Sequence, residues 1–342
     1  MATLPGAVHA VRYDRYGPPE VLRVVAVPRP VPDRGEVLVE VHGSGVGGGE
    51  PAIRQGRLRR VLRNRLPQGV GVDFAGRVVG VGEGVNGLAT GDAVWGLMEH
   101  LAFGSTAEFV AVSAARVSLA PSGVDLVEAA ALPSVGTTAV AALVHRAGIR
   151  AGERLLVRGA GGGVGTVAVQ LGAALGAQVT ALTGSRSVDL VRELGAQVVL
   201  DHRTTRPSDI EPVDVVLDLV GTDLAAYRRR LTDRGRLVAL AVDPVRPLRA
   251  GLAIAWNGAV RRGRFLTFSN DPSPEHIMQL AGYVEDGTIR PVIDSVVALD
   301  ETAEAHRRLE RGGVRGRIVV DVRHRGRAKR PRPPTAGGST NP

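Results

Sequence analysis

Residues 156–177 read LVRGAGGGVGTVAVQLGAALGA, and their reading decides the fold. Leu156 and Val157 belong to an apolar strand, a run of glycines follows at once, and Val164 begins an apolar segment of helical period. Ala160, Gly162 and Gly165 stand at the G-x-G-x-x-G spacing, with alanine in the first place. That spacing carries meaning only between a strand and a helix, which is where it falls here. Glycine at 162 lets a pyrophosphate approach the backbone, and glycine at 165 lets the helix pack close on the sheet. The N–H groups that open the helix then face negative charge. A tight turn with no ligand is the plainer alternative, and the strand–helix units that follow favour a dinucleotide.

The next strand, Gln178 to Thr183, leads into Gly184, Ser185, Arg186 and Ser187. An NAD site usually has an acid here to take the ribose 2′-hydroxyl, and this position has none. Ser185 and Arg186 offer a hydroxyl and a permanent cation instead, which suits a 2′-phosphate and therefore NADPH. His202, after the following strand, is a candidate to cover the adenine or the phosphate. The alternatives are a solvated arginine and an ordinary surface histidine.

Outward from the turn, strand and helix alternate from residue 154 to about 242, the pattern of a doubly wound parallel sheet. Upstream, residues 125–148 read as one helix that stops at Gly148. The first ~120 residues are short strands divided by glycines, the pattern of a small β-barrel module. The chain is thus of the α/β class, with an N-terminal β-barrel domain before the parallel sheet. After about residue 269, a helix, a strand, a helix and a strand close the chain.

Its 342 residues are enough for two cores, and with 44% apolar but only 3% aromatic residues those cores must be Val, Leu and Ala. Cysteine is absent, which removes disulfides and thiolate-bound metal and suits a cytoplasmic location. The N-terminus lacks the charged-then-apolar order of a signal peptide. The run from Ala129 to Val144 is interrupted by Pro133 and Gly136 and is too short for a membrane span. Net charge is +9, but Arg323 to Arg332 hold six basic residues and no acid, so the rest carries +3. Residues 323–342 read as a disordered, solvated basic tail rather than a nucleic-acid arm, since no aromatic platform or zinc-finger spacing accompanies them.

Together these segments resemble the medium-chain dehydrogenase/reductase superfamily, most closely its zinc-independent quinone oxidoreductase branch. The resemblance rests on RYGPPEVLRVVAVPRPVPDRGEVLVEVHGSGV, GVDFAGRVVGVGEGVNGLATGDAVWG, EAAALPSVGTTAVAAL, the glycine turn, and VIDSVVALDETAEAHRRLERGGVRGRIVV. It implies a GroES-like catalytic domain at 1–124 completed by 269–322, and a Rossmann domain at 125–268. Gly71, Val72 and Asp73 stand where the zinc enzymes of the superfamily carry Gly-His-Glu, and valine cannot ligate zinc. The implied reaction is metal-free hydride transfer from NADPH to a quinone or to a C=C conjugated to a carbonyl. The resemblance implies Thr137 and Thr138 beside the nicotinamide, with Thr137 or backbone N–H groups holding the enolate. It places Gly162, Gly163 and Val164 at the pyrophosphate, and Ser185, Arg186 and His202 at the 2′-phosphate. Val220 and Gly221 would pass the ribose. Ala241, Val242, Phe268, Ser269 and Asn270 would surround the nicotinamide, with Arg317 near the cofactor. RRGRFLTFSN, Arg261 to Asn270, resembles the edge strand through which the branch forms homodimers.

The match fails at GVGGGEPAIRQG. Relatives carry a Val-Asn-Pro-x-Asp segment, often with a tyrosine after it. Gly47 replaces the Asn, Glu50 the Asp, and Ala52 stands where the tyrosine falls. A pocket widened for a bulky specialised intermediate and a loss of activity both fit. Glu50 is a candidate acid or base, with a solvated loop residue as the plainer reading. The six arginines from Arg54 to Arg65 would draw an anionic substrate or form a solvated helix face. The histidines at 9, 42, 100, 145, 276, 306 and 324 have no ligand spacing and read as structural or exposed. A reductase-cyclase and an NADPH-binding sensor are the other functions considered.

Overall fold

The computed structural model describes residues 6–59, 65–240, 265–324 and 326. The N-terminal part is β-rich. It runs through β1 (Ala7–Tyr13), β2 (Arg23–Pro28), β3 (Glu36–Val46), a one-turn helix α1 (Glu50–Arg54), β4 (Gln68–Gly69), β5 (Asp73–Val81), β6 (Ala93–Leu97), β7 (Phe109–Ser113) and β8 (Val117–Leu119). β3 is the organising strand. Its Val37, Val39 and Val41 alternate into the core, and it pairs with β5 and β7. Toward its end the side chains vanish at Gly43 and Gly45. A Cβ at Gly43 would lie 2.8 Å from Val127 Cα, so the next helix rests directly on the strand.

That helix is α2 (Leu126–Ala129), capped by Asp125 Oδ1, which accepts from Val127 N at 2.8 Å. The single helix expected over 125–148 is broken here. Pro133 has no N–H to donate and instead opens α3 (Pro133–Val140), which widens into a π-helical turn over Ala141–Arg146.

The middle of the chain adds β9 (Arg154–Arg158), α4 (Gly163–Ala174), β10 (Gln178–Thr183), α5 (Val188–Glu193), β11 (Val198–Asp201), β12 (Val213–Asp218), α6 (Leu224–Arg228), β13 (Leu231–Ala239) and β14 (Phe265–Thr267). The six strands form one sheet in the order β11-β10-β9-β12-β13-β14, every pair parallel. Counted from β9, this is the 3-2-1-4-5-6 order of the Rossmann fold, with its switch point between β9 and β12. β14 forms the sheet edge; Arg261 to Arg264 of the expected edge segment lie outside the described residues.

The chain then returns through α7 (Pro274–Glu285), β15 (Ile293–Ala298), α8 (Thr302–Arg311) and β16 (Arg317–Asp321). β16 joins β3 antiparallel, Ile318 opposite Val46, and completes a seven-stranded sheet with the GroES-like strands. One apolar cluster runs through both sheets, from Trp95, Leu97 and Val319 to Val157, Val167 and Leu217. Val, Leu and Ala dominate it, as the low aromatic content requires. Among the described residues no helix is long and apolar enough to cross a membrane.

Candidate active site

The glycine turn joins β9 to α4. Gly159 takes φ +77°, which an L side chain rarely adopts, so the sharp bend falls one residue before the first motif position, Ala160. A Cβ on Gly165 would collide with Gly159 O and lie 2.7 Å from Ala160 Cα, so only glycine lets α4 come this close. Gly162 is different. A Cβ there would meet only Gly159 O, at 3.5 Å, so this backbone faces open space. No side chain caps α4 at Gly162, and its first N–H groups are presented to that space, with Gly163 and Val164 in the first turn. The residues fit a pyrophosphate.

Across the switch point, a buried ion pair shapes the neighbouring loop. Arg158 Nη1 donates to Asp218 Oδ2 and, at 2.7 Å, to Thr222 O. Asp218 Oδ1 accepts from Val220 N at 3.0 Å and Gly221 N at 2.6 Å. Val220 and Gly221 are thereby held beside Gly159, whose Cβ would touch Val220 Cγ2 at 3.4 Å. The sequence reading missed Arg158 and Asp218. The signal was present: each is a charge at the C-terminal end of a strand, directly after an apolar run, and the 3-2-1-4 order makes those strands neighbours.

At the adenosine end, Ser185, Arg186 and His202 are exposed and share the ends of β10 and β11. His202 Cε1 lies 3.8 Å from where a Cβ on Gly184 would be. The nearest carboxylate, Asp201, is turned into its own loop, accepting from Arg203 N at 2.9 Å. The Arg186 guanidinium rests on Gly313, in the stretch that leads to β16.

At the nicotinamide end, Thr137 is buried. Its hydroxyl donates to Pro133 O at 2.6 Å and accepts from Asn270 Nδ2 at 2.9 Å. Thr138, one residue on, is partly exposed, and its hydroxyl makes no hydrogen bond among the described residues. Phe268 lies under the Arg146 guanidinium, 5.5 Å from its ring centre, and Ser269 is exposed. Ala241 and Val242 fall outside the described residues.

Arg317 joins both halves of the molecule. It pairs with the buried Asp73, which also accepts from Ser134 N at 2.6 Å and Ser134 Oγ at 2.7 Å. The Arg317 methylenes press on Gly163, and Gly316 N donates to Gly161 O at 2.8 Å. The pyrophosphate turn, the hinge helix α3 and the strand that replaces Gly-His-Glu therefore meet at the Arg317–Asp73 pair.

The floor of the site corrects the plainer reading of Glu50 as a solvated loop residue. Glu50 is 5% exposed. Its Oε1 accepts from Gly47 N at 2.6 Å and its Oε2 from Gly71 N at 3.1 Å. Burial pushes this carboxyl up to about 7 against the pull of those two N–H groups. His306, on α8, is fully buried with Nε2 3.6 Å from Glu50 Oε2; burial first, and then Arg54, hold its imidazole down at about 3. Arg54 is fully buried as well, so the solvated-face reading of the arginine run fails at its first member. It donates to Gly17 O at 3.1 Å and pairs with Glu310. Arg57, Arg59 and Arg65 are exposed, and Arg60 and Arg63 lie outside the described residues. A Cβ on Gly47 would sit 2.9 Å from Glu50 Oε1. Glycine at 47 and the longer acid at 50 are therefore linked departures from the Val-Asn-Pro-x-Asp pattern.

The residues at this floor do not fit a zinc ion. Gly47 and Val72 offer no donor, Glu50 spends both oxygens on backbone N–H groups, and no described trio of His, Asp or Glu is suitably grouped.

Comparison with known proteins agrees with this geometry. The family "Alcohol dehydrogenase GroES-like domain" matches residues 33–122, and "Zinc-binding dehydrogenase" matches residues 194–320. The Arabidopsis thaliana chloroplast envelope quinone oxidoreductase homolog is 31% identical over 334 residues, covering 92% of this chain and 98% of that protein. The 2-methylene-furan-3-one reductase of Solanum lycopersicum is 32% identical, covering 93% and 80%. The solved quinone oxidoreductase from Coxiella burnetii superposes with a TM-score of 0.83 at 29% identity, covering 93% of this chain and all of that one. The chain belongs to the medium-chain dehydrogenase/reductase superfamily, in its quinone oxidoreductase branch. It is an oxidoreductase that depends on a pyridine nucleotide.

Proposed function

We propose that the protein uses NADPH to reduce a quinone, or a C=C conjugated to a carbonyl, without a metal. The observation that carries this reading is the floor of the site, where Gly47, Val72 and a fully engaged Glu50 offer a Lewis-acid metal no free ligands. An acceptor reduced there must already be activated, and a quinone or enone spreads the incoming charge onto its own oxygen. The relative named for 2-methylene-furan-3-one supports an acceptor of that kind.

NADPH, held by the glycine turn, would supply hydride for the β-carbon; the C=C pair would shift into the bond to the carbonyl carbon, the C=O pair onto its oxygen, and water would return a proton. Thr138 suits contact with the ligand better than Thr137, whose proton is committed to Pro133 O. Arg317 and the α4 N-terminus would hold the pyrophosphate. Ser185, Arg186 and His202 would take the 2′-phosphate, and Asn270 would fix the hinge helix beneath the nicotinamide. Pairing along β14, the outermost strand of the sheet among the described residues, would make a homodimer.

The test is oxidation of NADPH and NADH, side by side, against a panel of quinones and enones, with metal content measured on the same sample. Turnover with NADPH and no stoichiometric metal is the expected result. Arg186→Ala should weaken NADPH by roughly tenfold or more, the worth of one charge-assisted contact, and leave NADH unchanged. Equal loss for both cofactors would remove Arg186 from the 2′-phosphate.

A further inference from the structure

Glu50 is buried, and so are His306 and Arg54 around it. Hydride transfer as read above uses none of the three. Glu50 nevertheless ties together two backbone positions from separate segments, Gly47 after β3 and Gly71 before β5, and the latter backs onto the hydroxyls of Ser44, Ser105 and Thr106. Among the described residues Glu50 supplies the one side-chain hydrogen bond to the glycine run 47–49, and Cβ atoms at Gly48 and Gly49 would meet nothing within 4 Å. Behind the carboxyl stands His306, with neither ring nitrogen hydrogen-bonded among the described residues. Its Nε2, 3.6 Å from Glu50 Oε2, stands where a neutral imidazole can accept a hydrogen bond from the protonated carboxyl or, in the other tautomer, donate one to the carboxylate.

We propose that Glu50 and His306 form a positioning pair for the acceptor, in which the Glu50 carboxyl fastens the glycine loop to Gly71 and His306 governs the proton on that carboxyl. The proposal rests on the reading of this cleft as the acceptor site. An ionised Glu50 receives both N–H groups as charge-assisted bonds and draws the loop down; a protonated Glu50 turns its O–H toward His306 and holds the loop less firmly. Burial leaves Glu50 near neutrality, at about 7, so both states are populated under ordinary conditions. The other ionisable groups facing the pair are Arg317 of β16, Asp73 of β5, Tyr13 of β1 and Arg54 of α1. Tyr13 donates to Gln68 Oε1 at 2.7 Å and is itself pushed up to about 12, and Arg317 is already paired with Asp73. Tyr13 keeps its proton at neutral pH, and burial pushes the Asp73 carboxyl up while Arg317 and Ser134 pull it down, so the Glu50→Gln variant is what ties a midpoint near 7 to Glu50.

The experiment uses the full chain and two readouts between pH 5.5 and 9. One is steady-state reduction of a simple benzoquinone by NADPH. The other is amide hydrogen exchange at Gly47 and Gly71 without acceptor, corrected for its intrinsic pH dependence. In the wild type, acceptor KM should fall and amide protection rise through a common midpoint near 7. NADPH affinity should stay flat. Glu50→Gln should abolish the midpoint in both readouts and raise KM at pH 8 about tenfold, with kcat changed far less. His306→Phe, which removes the acceptor for the protonated carboxyl's O–H, should move the midpoint downward by about one pH unit, and His306→Gln should restore part of it. A role confined to stability would lower the melting temperature of these variants without moving any midpoint. The proposal is overturned if the midpoint survives in Glu50→Gln, or stays in place in His306→Phe. If the variants do not fold, a wild type whose Gly47 and Gly71 protection shows no midpoint overturns it alone. If the wild type reduces no acceptor, the functional reading fails, while the exchange profile still decides the pair.

Discussion

Two glycines three positions apart do opposite work in the turn. Gly165 is required by the protein itself, because α4 and β9 are in contact there, whereas Gly162 faces open space. Gly165→Ala should destabilise the fold by roughly 1–3 kcal/mol, the usual cost of overpacking. Gly162→Ala should leave stability near wild type and weaken NADPH. Denaturant unfolding and cofactor titration of both variants separate the effects, and a swap of the two outcomes would refute the assignment. Glu50 and His306 also leave a thermodynamic trace. Glu50 is raised from 4.5 to about 7, so its contribution to stability is complete below 4.5 and is lost as pH rises through 7. His306 is lowered from 6.5 to about 3, so its contribution is present above 6.5 and is lost as pH falls toward 3. Relative to wild type, Glu50→Gln should gain stability from pH 4.5 upward, by about 3 kcal/mol once past 7. His306→Phe should gain as pH falls below 6.5. Unfolding curves at a series of pH values check both signs, and differences that do not vary with pH would show that neither group titrates in this way. Gly162 and Gly165 could be read in the sequence because their geometry is set within ten residues. Glu50 was named as a candidate acid or base, but its burial could not be read, because Gly71 and His306 come from distant segments.

Among the elements, β16 carries the most. Its first residue, Arg317, pairs with Asp73 of β5 while its methylenes lie on Gly163 of α4. Removing one partner strands a charge in a dry place. Arg317→Ala should therefore cost roughly 3–5 kcal/mol, and the double variant with Asp73→Ala less than the sum of the two singles. A double-mutant cycle by calorimetry measures this; strict additivity would mean the pair is not coupled. The hinge region shows where reading by period stops. Residues 125–148 have helical spacing throughout, yet Pro133 divides them, since a missing N–H interrupts the ladder whatever the apolar pattern. The alternation of strand and helix after residue 154 was legible because each unit closes on its sequential neighbour. The return of β15 and β16 to the first sheet was known only by resemblance, because nothing local in those strands names β3 as their partner.

For the molecule as a whole, the two sheets are not independent bodies. A single apolar cluster passes between them, and the chain crosses from one to the other more than once before it ends. Gly316 N donates to Gly161 O at this crossing. Anyone recombining this chain with a cousin would meet that crossing as a seam. A hybrid that imports a foreign nucleotide-binding half but keeps the native closing strand would set Gly316 and Arg317 against a turn they did not evolve beside. The natural exchange unit is thus discontinuous: residues 154–240 travel properly only in the company of 313–317.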